Sequence, residues 1–257
     1  MKVFVGSAIW RTIEVAHMKS LVPLLRTSGF AYFPQTGDAL VERARSISST
    51  YFLRKTDYDV HLSIDSDITD FSVEDTIKLC ELAMGHDIVV GAYVCRSANR
   101  TFPATFYEEG LRVDHAFDHT PVRVKWGATG FMAVHRRVFA ALAKDLPLLH
   151  ASDGDRAFYP FYLPMVYEDE DVGEPILLSE DYAFCQRAKE AGFGVWLDPA
   201  IRIGHLGSYI YRLEDTAQVQ VDPQPLVLTR EGRRWRVESI EREPENASVI
   251  RERTAAS

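Results

Sequence analysis

Short apolar segments alternate with segments of helical apolar spacing over the first 95 residues, and this alternation constrains the fold more than any other feature. Strands are expected at 3–5, 61–64 and 87–94, and helices at 15–26, 38–53 and 72–84. Parallel neighbouring strands need a long crossover connection, usually a helix, and this order supplies one. The pattern therefore predicts an α/β domain with a mostly parallel central sheet and helices on its faces.

Composition narrows the classes of partner and compartment. The chain carries a net charge of −8, which argues against holding nucleic acid or anionic lipid by bulk electrostatics. Its 3 cysteines are odd in number and show no Cys-x-x-Cys spacing, as expected of reduced thiols. No apolar stretch is long enough to span a bilayer, and the apolar start is too short for a signal peptide. We therefore expect a cytoplasmic protein without a membrane span.

The segment Asp65-Ser66-Asp67 directly follows the predicted strand His61–Ile64. Ligands of open α/β sheets bind outside the carboxyl ends of the strands. Two carboxylates at such a position suit Mg²⁺ or Mn²⁺, which in turn clamps a diphosphate. The same Asp-x-Asp spacing recurs at 57–59, 153–155 and 169–171, so the alternative at 65–67 is an ordinary solvated turn.

Ser179-Glu180-Asp181 predicts the start of a helix that ends near Gly192. Acidic residues in a first helical turn are favoured by the helix dipole, so an ordinary cap explains them without any function. First-turn carboxylates that face a sheet edge can also act as a general base.

Two further segments bring glycine next to residues that can serve a ligand site. His205 follows a short predicted strand and comes directly after Gly204, and a neutral imidazole is a good ligand for ions such as Mn²⁺. The segment Gly127-Ala128-Thr129-Gly130 lets the backbone approach a ligand closely. The alternatives are a structural histidine and a tight turn between two strands.

Taken together and in this order, the four segments resemble the motifs of GT-A-fold glycosyltransferases over roughly residues 1–212. Asp65-Ser66-Asp67 resembles their DxD motif, and Ser179-Glu180-Asp181 resembles their xED motif. Gly127–Met132, with Arg136 and Arg137 behind it, resembles their glycine-containing TGF segment beside the sugar. His205 resembles their late metal-binding histidine.

A narrower resemblance points to glycosyltransferases encoded by bacteriophages and some bacteria. It is carried by the segments 37–45, 179–185 and 204–209. Some enzymes of that kind modify hydroxymethylated bases in phage DNA, and a phage-encoded chain would act in the host cytoplasm. The match concerns the donor machinery, so the acceptor stays open between a glycan, a small molecule and a modified DNA base such as 5-hydroxymethylcytosine.

The resemblance implies a nucleotide-sugar donor, UDP-glucose or a similar sugar, together with Mn²⁺ or Mg²⁺. Asp67 and His205 would ligate the metal, and Asp65 would do so directly or through water, or bind the ribose hydroxyl. The residues expected to contact the donor are Ser7, Ala8, Arg43, Arg45, Asp65, Ser66, Gly127, Thr129 and Gly130. For Arg43 and Arg45, a solvated helix face is the alternative.

The resemblance also implies catalytic roles for the two acidic residues at 180–181. Asp181 is the expected base if the reaction inverts the anomeric centre, with Glu180 positioning the acceptor or the sugar. In a retaining reaction Asp181 would instead orient the donor. The rival classes are a nucleotidyltransferase, whose glycine-rich basic loop is missing after the first strand, and a nucleotide- or carbohydrate-binding module without turnover.

The expected organisation is one GT-A, Rossmann-like domain over 1–212 with a small C-terminal extension over 213–257. The nucleotide-binding half covers about 1–95, and the acceptor-side half covers about 96–212. The extension would contain a hairpin around Glu231 and Gly232 and a frayed tail. Residues 145–178, rich in proline and aromatic residues, are expected to form a long loop whose aromatics stack on a ligand or fill a small core. No oligomeric state is predicted.

Overall fold

Five helices pack against an eight-stranded sheet in the part of the chain that the computed structural model describes, which is residues 1–96, 102–107, 112–113, 119–152, 156–169, 173–212, 226–231 and 234–239. The helices are α1 Val15–Leu25, α2 Val41–Lys55, α3 Val73–His86, α4 Arg136–Asp145 and α5 Glu180–Glu190. The strands are β1 Val3–Ile9, β2 Phe30–Thr36, β3 Val60–Ile64, β4 Ile68–Thr69, β5 Ile88–Ala92, β6 Ala104–Phe106, β7 Arg112–Val113, β8 Val122–Gly127, β9 Phe131–His135, β10 Leu149–His150, β11 Ala157–Phe158, β12 Met165–Asp169, β13 Glu174–Leu178, β14 Val195–Arg202, β15 Gly204–Leu206, β16 Ile210–Tyr211, β17 Leu226–Glu231 and β18 Arg234–Ser239.

The strands of the large sheet follow the order β2-β1-β3-β9-β5-β14-β8-β6. β1 is parallel to β2 and β3, and β5 is parallel to β14. β9 is antiparallel to both its neighbours, and so is β8, which means that the other six strands all run in one direction. The predicted class, a Rossmann-like α/β fold with a mostly parallel central sheet and flanking helices, is confirmed, and it is the architecture that the resemblance to GT-A enzymes implied.

Helices on both faces cover the central strands, which is why β3 and β5 are buried along their whole length. Along β1, the side chain of Phe4 belongs to a core cluster with Phe52 of α2 and Phe184 of α5. Val3 and Val5 belong to a second cluster on the other face, which includes residues of α1 and α3. Because successive strand side chains point to opposite faces, one short strand contributes to both cores.

Two predicted boundaries on the donor side are wrong. The first strand was expected to end at residue 5, but β1 continues to Ile9 because Gly6–Ile9 pair with residues of β2. The second helix was expected to start at Asp38, but α2 starts at Val41. The Asp38 carboxylate accepts hydrogen bonds from the Leu40 N–H and from Arg43, so it holds the chain ahead of the helix instead of capping it.

The prediction of a long loop over 145–178 is also wrong. This segment contains two antiparallel hairpins, β10–β11 and β12–β13. Pro175 lies within β13, which is tolerated because a two-stranded hairpin has unpaired edges. Phe161 and Tyr162 are fully buried in the core next to α4 and α5, so these aromatics pack in the interior.

Near the C-terminus, β17 pairs antiparallel with β18, with Glu231 opposite Arg234, and β17 also pairs with β7. The tail over 240–257 lies outside the described residues, and the division of the chain at residue 212 stays a prediction. None of the helices in the described ranges is long and apolar enough to cross a membrane.

Candidate functional site

The Asp-Ser-Asp turn, residues 65–67, lies at the carboxyl end of β3 and organises the site. The Ile68 N–H donates to the Asp65 carbonyl at 3.0 Å, which closes a β-turn. The chain continues directly into β4, which pairs antiparallel with β15. In this pairing the Leu206 N–H donates to the Asp67 carbonyl at 2.7 Å, so the neighbouring His205 is held beside Asp67.

Asp67 and His205 form a pair of oxygen and nitrogen donors. Nε2 of His205 lies 3.6 Å from Oδ2 of Asp67. Nδ1 of the same ring lies 2.9 Å from the Val94 carbonyl oxygen, which can only accept, so Nδ1 carries the proton. In the neutral imidazole this leaves the lone pair of Nε2 facing Asp67, as a metal ligand requires.

Arg96 lies on the same carboxylate oxygen. Its Nη1 is 2.9 Å from Oδ2 of Asp67 and donates to the Leu206 carbonyl at 3.2 Å. Burial raises the pKa of Asp67, but His205 in its protonated form, which donates to the carboxylate, and the Arg96 charge outweigh burial and lower it. The carboxylate is therefore ionised, and a half-exposed guanidinium stands where a cation bound to Oδ2 would compete with it.

The three predicted metal ligands are not all brought together. Within the described ranges, no group of three or more His, Cys, Asp or Glu side chains converges closely enough to hold a metal ion. Asp67 and His205 do converge and fit a divalent cation that takes its remaining ligands from water or from a diphosphate. Oδ2 of Asp65 instead accepts a hydrogen bond from Arg45, and its predicted metal contact stays a prediction.

Arg45 holds three carboxylates from two distant parts of the chain. Its Nη2 donates to Asp65 at 2.6 Å, and its Nη1 donates to Glu180 at 2.8 Å and to Asp181 at 2.7 Å. The guanidinium side chain is only 7% exposed. Most of the other buried residues of α2 are alanine, serine or threonine, so the helix lies close to the sheet and Arg45 reaches across. We call Arg45, Asp65, Glu180 and Asp181 the Arg45 cluster.

The glycine-containing segment 127–130 connects β8 to β9 and completes the site. β8 and β9, which it connects, are separated by β5 and β14, so it crosses those strands and is not a hairpin turn. A Cβ at Gly127 would lie 3.1 Å from the side chain of Val90, and one at Gly130 would lie 2.5 Å from the hydroxyl of Tyr93. A side chain at 130 would overlap Tyr93, and one at 127 would require Val90 to shift slightly, so the backbone at both positions lies close to these side chains.

This crossing segment hydrogen-bonds to the carboxylate of Asp181 and to the backbone of Asp65. The Thr129 hydroxyl donates to Oδ1 of Asp181 at 2.5 Å. The Asp65 N–H donates to the Gly130 carbonyl at 2.9 Å. The structure therefore brings four sequence-predicted residues, Asp65, Thr129, Gly130 and Asp181, into one connected arrangement with Arg45.

Asp181 has the chemistry of a base that works near neutral pH. Burial, with Glu180 and Asp65 nearby, raises its pKa to about 6, against the opposing effects of Arg45 and the Thr129 hydrogen bond. Among the described residues, both hydrogen bonds to Asp181 fall on Oδ1, so Oδ2 is the oxygen that can take a proton. A carboxylate with a pKa near the working pH is suited to general base catalysis.

The remaining predicted donor contacts lie at different distances from this centre. Ser7 is a buried residue of β1, and Ala8 lines a small cavity of about 10 Å³ together with Arg45 and Asp65. Ser66 is half-buried within the turn. Arg43 is not in the cluster, because Nε and Nη2 of its guanidinium donate to the two oxygens of the Asp38 carboxylate.

A larger cavity of about 260 Å³ lies between α2 and the edge strand β2. Its walls include the aromatic rings of Phe33 and Tyr51 and the amide of Gln35. Ser48 lines both this cavity and the small one beside Arg45. The rings of Phe33 and Tyr51 are 5.9 Å apart between centroids, so a planar ring of nucleobase size would stack against this aromatic wall and not between the two rings.

The sequence analysis missed two residues of the site, Tyr93 and Arg96. Tyr93 is buried and follows β5 just as Asp65 follows β3, so its position at a strand end was an available signal. Burial, with Asp181 and Asp65 nearby, raises the Tyr93 pKa well above its usual value and keeps the phenol protonated. Arg96 has no signal in the sequence, because its contact with Asp67 depends on how the chain turns after β5.

No protein-family model and no curated protein matches the chain. Among solved structures, A197 from STIV is similar over 95% of this chain and 97% of that chain, with a TM-score of 0.52 at 14% identity. The similarity to S. aureus TarS 1-349 extends over 82% of this chain and 60% of the TarS chain, with a TM-score of 0.43 at 11% identity. The similarity to CMP:2-keto-3-deoxy-manno-octonic acid synthetase complexed with CTP extends over 77% of this chain and 89% of the synthetase chain, with a TM-score of 0.38 at 12% identity. The first likeness shows a shared fold, and the other two are too distant to carry an argument.

Proposed function

We propose that this chain is a metal-dependent glycosyltransferase that moves a sugar from a nucleotide-sugar donor, UDP-glucose or a similar UDP-sugar, to an acceptor hydroxyl. One observation carries the proposal. The Asp-Ser-Asp turn joins two differently equipped groups at the carboxyl edge of the sheet, namely the Asp67–His205 pair and the Arg45 cluster with its raised-pKa Asp181. The first group suits a cation and its diphosphate, and the second suits proton transfer.

On the donor side, Asp67 and His205 would hold Mn²⁺ or Mg²⁺. Such an ion supplies positive charge that stabilises the negative charge developing on the diphosphate leaving group. With a metal ion on Asp67, the Arg96 guanidinium would be released from this carboxylate and would be available to pair with the same diphosphate. The nucleobase would lie in the aromatic cavity between α2 and β2, against Tyr51.

In the transfer step, one oxygen of Asp181 accepts the proton of the acceptor hydroxyl. The acceptor oxygen forms a bond to the anomeric carbon while the bond from that carbon to the donor phosphate oxygen breaks, and the diphosphate leaves with the bonding electron pair. The acceptor proton moves to Oδ2 of Asp181, and Glu180 positions the acceptor or the sugar. These roles apply to inversion, and in a retaining reaction Asp181 would orient the donor instead.

The acceptor class is narrowed by charge. β12 and β13 come shortly before α5 in the chain, and their outward residues include the exposed Glu168. With a net charge of −8 over the whole chain, a neutral glycan or small molecule is favoured over a polyanion such as DNA carrying hydroxymethylated pyrimidines.

The proposal is tested by incubating the purified protein with UDP-glucose, UDP-galactose and UDP-N-acetylglucosamine, with Mn²⁺, with Mg²⁺ and with EDTA. The expected result is UDP release that requires the metal, followed by mass spectrometry of products from glycans, small molecules and DNA containing 5-hydroxymethylcytosine. Tight binding of UDP-sugars without release across this acceptor panel would instead identify a binding module.

A further inference from the structure

We infer that Arg45 is a positioning residue, which fixes Asp65, Glu180 and Asp181 relative to one another and thereby links the donor turn to the proton-accepting side of the site. The inference rests on the proposed function for the role of Asp181. It adds that Arg45 binds carboxylates of the protein and does not contact the donor. The resemblance implied a contact between this arginine and the nucleotide or diphosphate.

The contacts of Arg45 leave little capacity for a ligand. Nη1 and Nη2 make three short ion pairs, at 2.6 to 2.8 Å, with carboxylates that enter from the end of β3 and from the start of α5. Nε is buried and has no hydrogen-bond partner in the described part of the chain. A planar guanidinium with fixed donor directions sets the mutual orientation of carboxylates in a way that a flexible ammonium does not.

The cluster carries an unbalanced negative charge, which distinguishes it from a purely structural ion pair. Three carboxylates share one guanidinium, which leaves a charge of −2 when all are ionised and −1 when Asp181 is protonated. Burying unbalanced charge costs stability, and buried ion pairs are weak evidence for stabilisation even when balanced. Clusters that shift pKa values in this way are concentrated at functional sites.

The groups that face Asp181 come from every element packed against it. They are Arg45 from α2, Glu180, Tyr182 and Cys185 from α5, Asp65 from the end of β3, Thr129 from the crossing segment, Tyr93 from the end of β5 and Tyr162 from the segment before β12. Arg45 is the positive group among them. Its charge opposes the effects of burial and of the neighbouring carboxylates, so it keeps Asp181 ionised at neutral pH.

The test compares Arg45→Gln, Arg45→Lys and the control Arg54→Gln, which changes an exposed arginine on the same helix. The first measurement does not need turnover: an NMR titration of aspartate carboxyl carbons, with the Asp181 signal assigned by its loss in Asp181→Asn. In Arg45→Gln, the Asp181 midpoint should rise by about one pH unit or more, because the opposing charge is gone. Arg45→Lys should keep the midpoint near the wild-type value, and Arg54→Gln should leave it unchanged.

The second measurement is the pH dependence of sugar transfer at saturating donor and acceptor. Arg45→Gln should move the acid limb upward by the same amount, so part of the lost rate returns at pH 9. Arg45→Lys should leave the acid limb at the wild-type pH but lower the transfer rate, because an ammonium keeps the positive charge without the two fixed donor directions of the guanidinium. Mn²⁺ affinity should change little in either variant, since Arg45 does not contact the Asp67–His205 pair.

An unshifted Asp181 midpoint in folded Arg45→Gln would overturn the inference, as would a rate lowered equally at all pH values. If Arg45→Gln fails to fold, Arg45→Lys decides the matter, and a wild-type rate in that variant counts against a positioning role. A shifted midpoint in a protein that shows no UDP release would leave the inference standing and refute the proposed function.

Discussion

The two aspartates of the Asp-Ser-Asp turn are two residues apart in the chain and have different surroundings. Asp65 is tied by Arg45 into a cluster that α2 and α5 close from both sides. Asp67 faces His205 at 3.6 Å and a half-exposed Arg96, and the protein supplies it with no further carboxylate in the described ranges. One carboxylate has its partners built in, and the other keeps room for a cation from solution.

This difference divides the work of the site between a fixed region and an open one. Groups that act on developing charge are most effective when their orientation is set before the substrate arrives. The Arg45 cluster meets this condition because each of its carboxylates is already held. The Asp67–His205 pair is where binding is expected to change the structure, since Arg96 must give way to a metal ion.

The largest expected effect comes from removing the open carboxylate. Asp67→Ala should reduce metal-dependent UDP release by roughly 1,000-fold, about 4 kcal/mol, because the metal loses its oxygen ligand. Asp57→Ala, at an exposed Asp-x-Asp pair that contacts Lys2, is the matched control and should retain full activity. Full retained activity in Asp67→Ala, in a folded protein, would remove the turn from the site.

Asp181→Asn tests the fixed region with an isosteric change. Turnover should fall by roughly 100-fold or more, because the amide cannot accept the proton, while the UDP dissociation constant stays within about threefold. Steady-state rates and UDP titration by calorimetry measure the two quantities. Equal losses in binding and turnover would mean that the two regions do not divide the work.

The pH dependence of wild-type transfer should follow the ionisation of Asp181. With a pKa of about 6, the rate should be constant above pH 7 and fall about tenfold per unit well below pH 6, since only the carboxylate acts as a base. Stability should show the opposite sign: a raised pKa means that the folded state binds more protons, so this group destabilises the fold increasingly as pH rises from 3.8 to about 6, and the effect is constant at higher pH. Asp181→Asn should therefore gain free energy of unfolding relative to wild type above pH 6 in urea titrations.

The smallest expected effect concerns Arg96. Arg96→Gln should tighten Mn²⁺ binding by about fivefold in the absence of nucleotide, because the competing exposed ion pair is worth up to about 1 kcal/mol. Arg212→Gln removes a comparable pair with Asp70 and should leave Mn²⁺ binding unchanged. Electron paramagnetic resonance of free Mn²⁺ provides the measurement, and an unchanged affinity in Arg96→Gln would show that Asp67 is not the metal ligand.

Local patterns predicted the elements that carry the site. The strand before the Asp-Ser-Asp turn is fully buried, α5 starts at Glu180, and α3 starts next to the predicted position 72, where the Ser72 side chain accepts from the Asp75 N–H. These succeed because strand burial and helix capping depend on neighbours in sequence. The prediction failed at the end of β1, because its partner β2 lies beyond a helix in the sequence. It also failed for the hairpins within 145–178, whose strands pair locally but lie in a proline-rich segment that favoured a loop.

The sequence by itself determined the α/β class, the positions of the strand ends and the residue types that stand there, because periodicity and turn chemistry are properties of short segments. Tertiary structure alone decided which aspartate meets which partner. Arg45 and Asp181 are 136 residues apart, and only the packing of α2 and α5 against one sheet edge joins them. His205 reaches Asp67 only through the pairing of β15 with β4. The cause is geometric, since parallel strands with crossover helices collect the ends of distant segments at one edge.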